Sequence, residues 1–272
     1  MKLDDAHIHL FKGGFPGAYG TLFPGGHEVK MYERIRQVHG IGRALVVGYE
    51  GEPWARGNNS YLAQLCSSRP WMAPLAFCDA EKPVTGKTLR ALRSQGIFGI
   101  SLYVFSAAQA AALIAWSKET VSELNQKRAI LSINCPPDIA CLLEPFFHRL
   151  EETRILLSHL GMPGTMDQLV QQLKPVLALS RIPHVGVKLS GAYACNAYPH
   201  PGLGSAVRSL TDAYGPSRLY WGSDFSPALD QLSFPQTIEA WKNLRPACPR
   251  EVFSKNLQSA IRRVRPSAPS AQ

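Results

Sequence analysis

Short apolar runs alternate with helix-periodic stretches along most of the chain. The runs begin near Leu3, Ala44, Met72, Ile97, Ala129, Ile155, His184 and Leu219. Between them, apolar residues recur at helical spacing over residues 29–38, 60–66, 84–93, 107–124, 138–149, 165–179, 203–214 and 234–244. A further helical stretch, 251–264, closes the pattern. Alternation of this kind predicts βα units and a parallel sheet. Eight such units in 272 residues predict an α/β fold, a (β/α)8 TIM barrel in a single domain. The structural alternative is a doubly wound open sheet, which usually opens with a glycine-rich phosphate loop after its first strand. Gly13-Gly14-Phe15-Pro16-Gly17 has neither the spacing nor the following helix.

The barrel domain is expected over residues 1–264. The small, polar, proline-containing remainder, 265–272, reads as a disordered tail. Residues 11–26 carry six glycines and two prolines without periodicity. They predict a long loop over the C-terminal end of the first strand, placed to act as a lid.

Composition changes this picture little. Hydrophobic content of 45% and charged content of 18% are ordinary for a globular chain. No apolar run reaches bilayer length, the N-terminus lacks a signal-peptide core, and the six cysteines form no Cys-x-x-Cys pair. Together these predict a cytoplasmic protein with reduced thiols and no membrane partner. The net charge of +9 is not gathered into a stripe interleaved with aromatics. Its only cluster, Arg262-Arg263-x-Arg265, reads as a solvated terminus, so nucleic acid is not an expected partner. A small anionic substrate is compatible with the charge, and a homo-oligomer is left open.

The candidate chemistry begins with His7 and His9 in the first apolar run. Residues i and i+2 of a strand leave one face, so both imidazoles should point at one spot, with Asp5 behind them. Two later runs end in a single ionisable residue followed by turn chemistry: Arg154-Ile-Leu-Leu-Ser-His159-Leu-Gly and Arg218-Leu-Tyr-Trp-Gly-Ser-Asp224-Phe. In a barrel the C-terminal strand ends share one mouth, which would bring His7, His9, His159 and Asp224 together. Three imidazoles and a carboxylate suit a borderline metal such as zinc. They equally suit metal-free work, with the carboxylate as base and histidines stabilising an oxyanion. Pattern alone leaves both open.

Asp-Ala-His7-Ile-His9-Leu-Phe, Ser-His159-Leu-Gly-Met-Pro, Val-Lys188-Leu-Ser190-Gly191 and Trp-Gly-Ser-Asp224-Phe-Ser-Pro resemble segments of the amidohydrolase-related proteins of the amidohydrolase superfamily. Asn58-Asn-Ser-Tyr-Leu62, Phe-Gly-Ile-Ser101-Leu and Ser254-Lys-Asn256-Leu resemble matching points of its branch of lactonases acting on 2-pyrone-4,6-dicarboxylate and on sugar-acid lactones. The resemblance implies a distorted barrel with His7, His9, His159 and Asp224 as its site. Two positions depart from the metal-dependent pattern. Asn134 stands where a fifth-strand histidine is expected, and Ser101 or Tyr103 where a fourth-strand lysine is expected. These departures argue against a two-metal centre and leave no metal, or one divalent ion with zinc foremost, as the expectation.

The expected activity is a hydrolase opening a lactone or similar cyclic ester of a small carboxylated substrate. Asp224 would be the general base, with His7, His9 and His159 holding the oxyanion directly or through one metal. A metal-dependent non-oxidative decarboxylase and a catalytically silent, acid-binding barrel are the alternatives. Around the site, Lys188 facing inward and Arg56 after the second strand are candidate clamps for a substrate carboxylate. Tyr103, Tyr193, Ser101 and Asn134 are candidate substrate contacts. Cys135 is expected in the core, and His27, His39, His148, His184 and His200 are assigned no role.

Overall fold

A computed structural model describes residues 2–24, 26–164, 168–244 and 247–264. Eight strands follow one another around a single parallel sheet: β1 (Leu3–Ile8), β2 (Ile41–Val47), β3 (Met72–Phe77), β4 (Gly99–Tyr103), β5 (Ile130–Asn134), β6 (Arg154–Leu157), β7 (Val185–Leu189) and β8 (Leu219–Trp221). β8 returns to β1 through an Ile8–Phe225 bridge and the hydrogen bond from the Asp224 N–H to the His7 carbonyl (2.8 Å). The expected TIM barrel is present, its seam held by fewer bonds than its other strand pairs. The distortion also lies at β1, whose pairing with β2 slips twice, between Leu3 and Asp5 and between Asp5 and Ile8.

The helices α1 (His27–His39), α2 (Asn58–Cys66), α3 (Gly86–Ser94) and α10 (Leu203–Tyr214) fall close to the predicted stretches. Three predicted helices are broken. Residues 107–124 form α4 (Ala107–Ile114) and α5 (Lys118–Gln126), because Ser117 caps a new helix through the Thr120 N–H. Residues 138–149 form α6 (Pro137–Leu142) and α7 (Glu144–His148), with Pro145 in the first turn of the second. The stretch 165–179 contains α8 (Leu169–Gln172) and α9 (Lys174–Ala178), where Pro175 acts in the same way. Residues 165–167 and the predicted tail lie outside the described residues. After α11 (Phe234–Lys242), the described residues end in α12 (Lys255–Val264). Among the described residues no helix is long and apolar enough to cross a membrane.

Two layers of core place the site. Helices pack around the outside of the sheet on one large apolar cluster. The floor of the lumen is a second cluster, in which Leu45, Ala73, Ile130, Leu156 and Tyr220 meet Leu257, Ala260, Ile261 and Val264 of α12. The i, i+3, i+4, i+7 spacing of those four α12 residues puts one apolar face into the barrel's N-terminal mouth. Above this floor the inward positions turn polar: Ser101, Ser132, Ser158 and Lys188 are all buried. The lumen is therefore plugged below and chemically active above.

Candidate active site

The first-strand histidines sit where β1 ends. Asp5 holds that end rather than joining the reactive groups. Its Oδ1 accepts the N–H groups of His7 (3.2 Å) and Ser223 (2.9 Å), and its Oδ2 accepts the Tyr32 hydroxyl (3.1 Å). Burial pushes the Asp5 carboxyl up to about 7 against these lowering bonds. The loop after β1 is likewise pinned. Buried Glu28 accepts the N–H groups of Phe11 and Phe15 (2.5 and 2.7 Å) and the Ser226 hydroxyl (2.6 Å). The tip of that loop rests on Asp230 through the Ala18 N–H, a tether unlike that of a free lid.

The barrel brings the distant groups together. Asp224 Oδ1 lies 3.6 Å from His7 Nε2 and 3.7 Å from His9 Nε2, and its Oδ2 lies 3.9 Å from His159 Nδ1. Asp224 has a left-handed backbone (φ 60°), which turns its side chain back over the mouth. Tyr193 donates its hydroxyl to Asp224 Oδ2 at 2.5 Å, while Oδ1 is buried without a hydrogen-bond partner. Burial raises the Asp224 carboxyl above the ordinary range, opposed by His9, Tyr193 and Lys188. A cavity of about 290 Å³ opens onto His159, Tyr193, Cys195 and Asp224. The larger cavity, about 810 Å³, lies at the opposite end beside Met72 and Gly96 and holds none of these groups.

Hydrogen bonding fixes which imidazole nitrogens carry protons. His9 Nδ1 lies 2.8 Å from the Val47 carbonyl, which can only accept, so this nitrogen is protonated and His9 Nε2 offers its lone pair. His7 Nε2, 3.1 Å away, then donates to it, and His7 Nδ1 accepts. The donor on that side is Lys188, whose Nζ is 3.3 Å from His7 Nδ1 and 2.6 Å from Ser132 Oγ. Desolvation holds His7 well below the usual histidine range, His9 at about 4 and His159 at about 3. All three are neutral near pH 7. Burial likewise pulls the Lys188 ammonium down to about 7, against the pull of Asp224.

The expected contacts divide accordingly. Lys188 does face inward, but it is fully buried behind His7 and supports that ring instead of clamping a carboxylate. Ser101 is consumed by the Gly48 carbonyl at 2.5 Å. Asn134 sits at the end of β5 with a buried, unbonded Oδ1, available to a ligand donor. Tyr103 meets Tyr49 at a 60° tilt (4.8 Å between ring centroids), and its hydroxyl is pushed up by burial and by Asp224. Arg56 is exposed at the end of a 3-10 turn, and its guanidinium makes no hydrogen bond or ion pair among the described residues. Ser132 and Glu28 were not singled out in the sequence. Ser132 could have been found two residues before Asn134 on the same strand face, whereas a first-turn glutamate such as Glu28 reads as solvated.

A family profile described as amidohydrolase matches residues 4–264. The chain belongs to the amidohydrolase family. Solved structures that this amidohydrolase resembles include an amidohydrolase from Burkholderia multivorans with bound zinc, at 16% identity and TM-score 0.78, covering 96% of this chain and 99% of that one. A candidate 2-pyrone-4,6-dicarboxylic acid hydrolase from Pseudomonas putida matches at 20% identity and TM-score 0.76, with 97% and 99% covered. A 2,6-dihydroxybenzoate decarboxylase complexed with 2,6-dihydroxybenzoate matches at 13% identity and TM-score 0.65, with 96% and 98% covered. At these identities the likeness is one of fold. Comparison with curated proteins gives no significant match.

The amidohydrolase superfamily often uses a divalent metal. Donor atoms of His7, His9 and Asp224 lie within 4.8 Å of one another. Their shortest separations of 3.1, 3.6 and 3.7 Å sit near the roughly 3.3 Å edge of a tetrahedral zinc shell. The orphaned Asp224 Oδ1 and the His9 Nδ1–carbonyl bond also suit an ion. His7 is the discordant member: ligation through Nε2 would move its proton to Nδ1, against the Lys188 nitrogen. The set fits one ion, and Lys188 opposes it.

Gly191 guards the third imidazole. At φ 65° it occupies the left-handed region, and an added Cβ would sit 2.4 Å from His159 Nδ1. Gly191→Ala should push His159 from its Ser190 bond (3.1 Å) and lower kcat/KM roughly a hundred-fold, as misplacement of a reacting group by about 1 Å does. Steady-state kinetics beside a melting curve would check this, since an intact fold with normal kinetics would deny His159 a role.

Proposed function

We propose that this protein is a hydrolase that opens a lactone or similar cyclic ester of a small molecule. The observation that carries the reading is Asp224 Oδ1: a buried, unbonded carboxylate oxygen beside two neutral imidazoles at an open cavity. A carboxylate in that setting is a strengthened base, because desolvation disfavours its charge and proton uptake relieves it. It takes a proton from water, and the water attacks the ring carbonyl. An N–H of His159 would hold the oxygen as it becomes an oxyanion, while His7 gives its own N–H to His9 Nε2, in an environment too dry for water to compete. Tyr193 keeps Asp224 aimed, and Asp224 returns its proton to the departing alkoxide. Where one divalent ion is bound, His7, His9 and Asp224 hold it, and it supplies Lewis-acid polarisation of the carbonyl.

A metal-dependent decarboxylase is the second reading, favoured by the donor spacing around His7, His9 and Asp224. A panel of lactones and hydroxybenzoates, assayed with and without chelator alongside metal analysis, separates the two. Chelator-resistant ring opening is the expected result. Stoichiometric metal with decarboxylation and no ring opening would replace this reading with the second.

A further inference from the structure

The rim of the barrel has two chemically distinct sides. His159, Tyr193 and Asp224 stand after β6, β7 and β8. The ends of β1, β2 and β4 carry a continuous run of rings. His9 stacks nearly parallel on Phe11, with centroids 5.6 Å apart and planes 6° from parallel. Phe11 meets Trp54 edge-on at 4.8 Å, and Trp54 lies 6.0 Å from Tyr49. Tyr49 lies 4.8 Å from Tyr103, which lies 6.4 Å from Phe105. The arc therefore begins at a reacting imidazole and ends in solvent.

Its two outer members are uncovered. Trp54 is 40% and Phe105 51% exposed, an apolar cost that a soluble surface normally avoids unless something covers it. Two further observations bear on what that is. The loop after β2 that carries Trp54 also holds Glu50 and exposed Glu52, and burial, with Glu52 adding to it, raises the neighbouring Tyr49 hydroxyl. Among the described residues, the one lysine buried in the lumen, Lys188, is sealed behind His7. On this loop a di- or tricarboxylate would meet Glu50 and Glu52, with Arg56 as an exposed and not a buried counter-charge.

We propose that the outer part of this arc is the substrate's side-chain subsite, and that the ring opened by Asp224 carries a planar, uncharged aryl group lying against Trp54, Tyr103 and Phe105, with buried Phe11 as their support. This rests on the lactonase reading and narrows its substrate class from carboxylated to aromatic. Stacking on aromatic faces contributes beyond simple burial, so each outer ring is worth roughly two- to ten-fold in selectivity.

The test compares γ-butyrolactone with γ-phenyl-γ-butyrolactone, which share a ring and leaving alkoxide and differ by the aryl group. Wild-type protein should favour the phenyl lactone in kcat/KM by at least tenfold. Trp54→Ala and Phe105→Ala, both at exposed positions that should leave folding intact, should each cut that ratio about fivefold, mainly through KM. A ratio near one, or a ratio unmoved in both variants, overturns the proposal. Binding is read separately, as quenching of tryptophan fluorescence by the phenyl lactone in the Asp224→Asn protein and its Trp54→Phe derivative. Saturable quenching that is lost with Trp54, without turnover of either lactone by wild type, keeps the aromatic subsite and discards the lactonase reading. Neither turnover nor quenching discards both.

Discussion

Asp224→Asn is expected to lower ring-opening turnover by roughly 10²- to 10⁴-fold, the range that a general base supplies. The amide keeps the shape of the carboxylate and can still accept the Tyr193 hydroxyl through its oxygen. What it loses is the capacity to take a proton at the position of Oδ1, the atom with no partner of its own. The effect should therefore fall on kcat and leave KM nearly unchanged. Folding should survive, because removing a desolvated charge offsets the lost attraction to Lys188. Circular dichroism melts and steady-state kinetics on one preparation make the comparison. Turnover near that of wild type would dismiss Asp224 as the base.

Lys188→Met should produce the second large effect, on two readouts at once. In its ammonium form Lys188 has only donors, so it sets His7 Nδ1 as acceptor and keeps the proton on Nε2, where it is donated to His9. Losing a charge-assisted bond of this kind is worth roughly ten- to a hundred-fold in kcat/KM. Methionine fills the same lumen without charge, so packing around Ser132 and the apolar floor should hold. The second readout is metal affinity. With no cation behind His7, its proton can move to Nδ1 and Nε2 can ligate, so zinc should bind at least about tenfold more tightly. A merely structural lysine would change stability without moving zinc affinity. Unchanged turnover together with unchanged zinc binding would remove Lys188 from the site.

The two effects are linked by charge. The site holds a buried carboxylate, three imidazoles kept neutral by desolvation, and a buried lysine on the far side of His7. The lysine partly balances Asp224 without touching the cavity. A divalent ion would perform the same balancing from the front.

Much of this was legible in the residue pattern. His159 and Asp224 each close a short apolar run ahead of turn chemistry, His7 and His9 share one face of the first run, and a parallel barrel collects such ends at one mouth. Strand order, helix positions and the four central residues follow from that local signal. The broken helices were less legible, because periodicity continues across Ser117 and Pro145 while a cap or a missing N–H resets the backbone.

Tertiary structure decided the rest. Lys188 lies on a strand where every residue is buried, so sequence alternation alone leaves open which face meets the lumen; the register of β7 against its neighbours fixes it. Asp5, expected behind the histidines, becomes a brace because the slips in β1 aim its oxygens at backbone N–H groups of β1 and the loop after β8. The arc from Phe11 to Phe105 arises from three strand ends, those of β1, β2 and β4, that share no sequence signal. Local patterning encodes period and strand ends through each residue's own neighbours. Which side chains touch across the mouth depends on sheet closure, a property of all eight strands together.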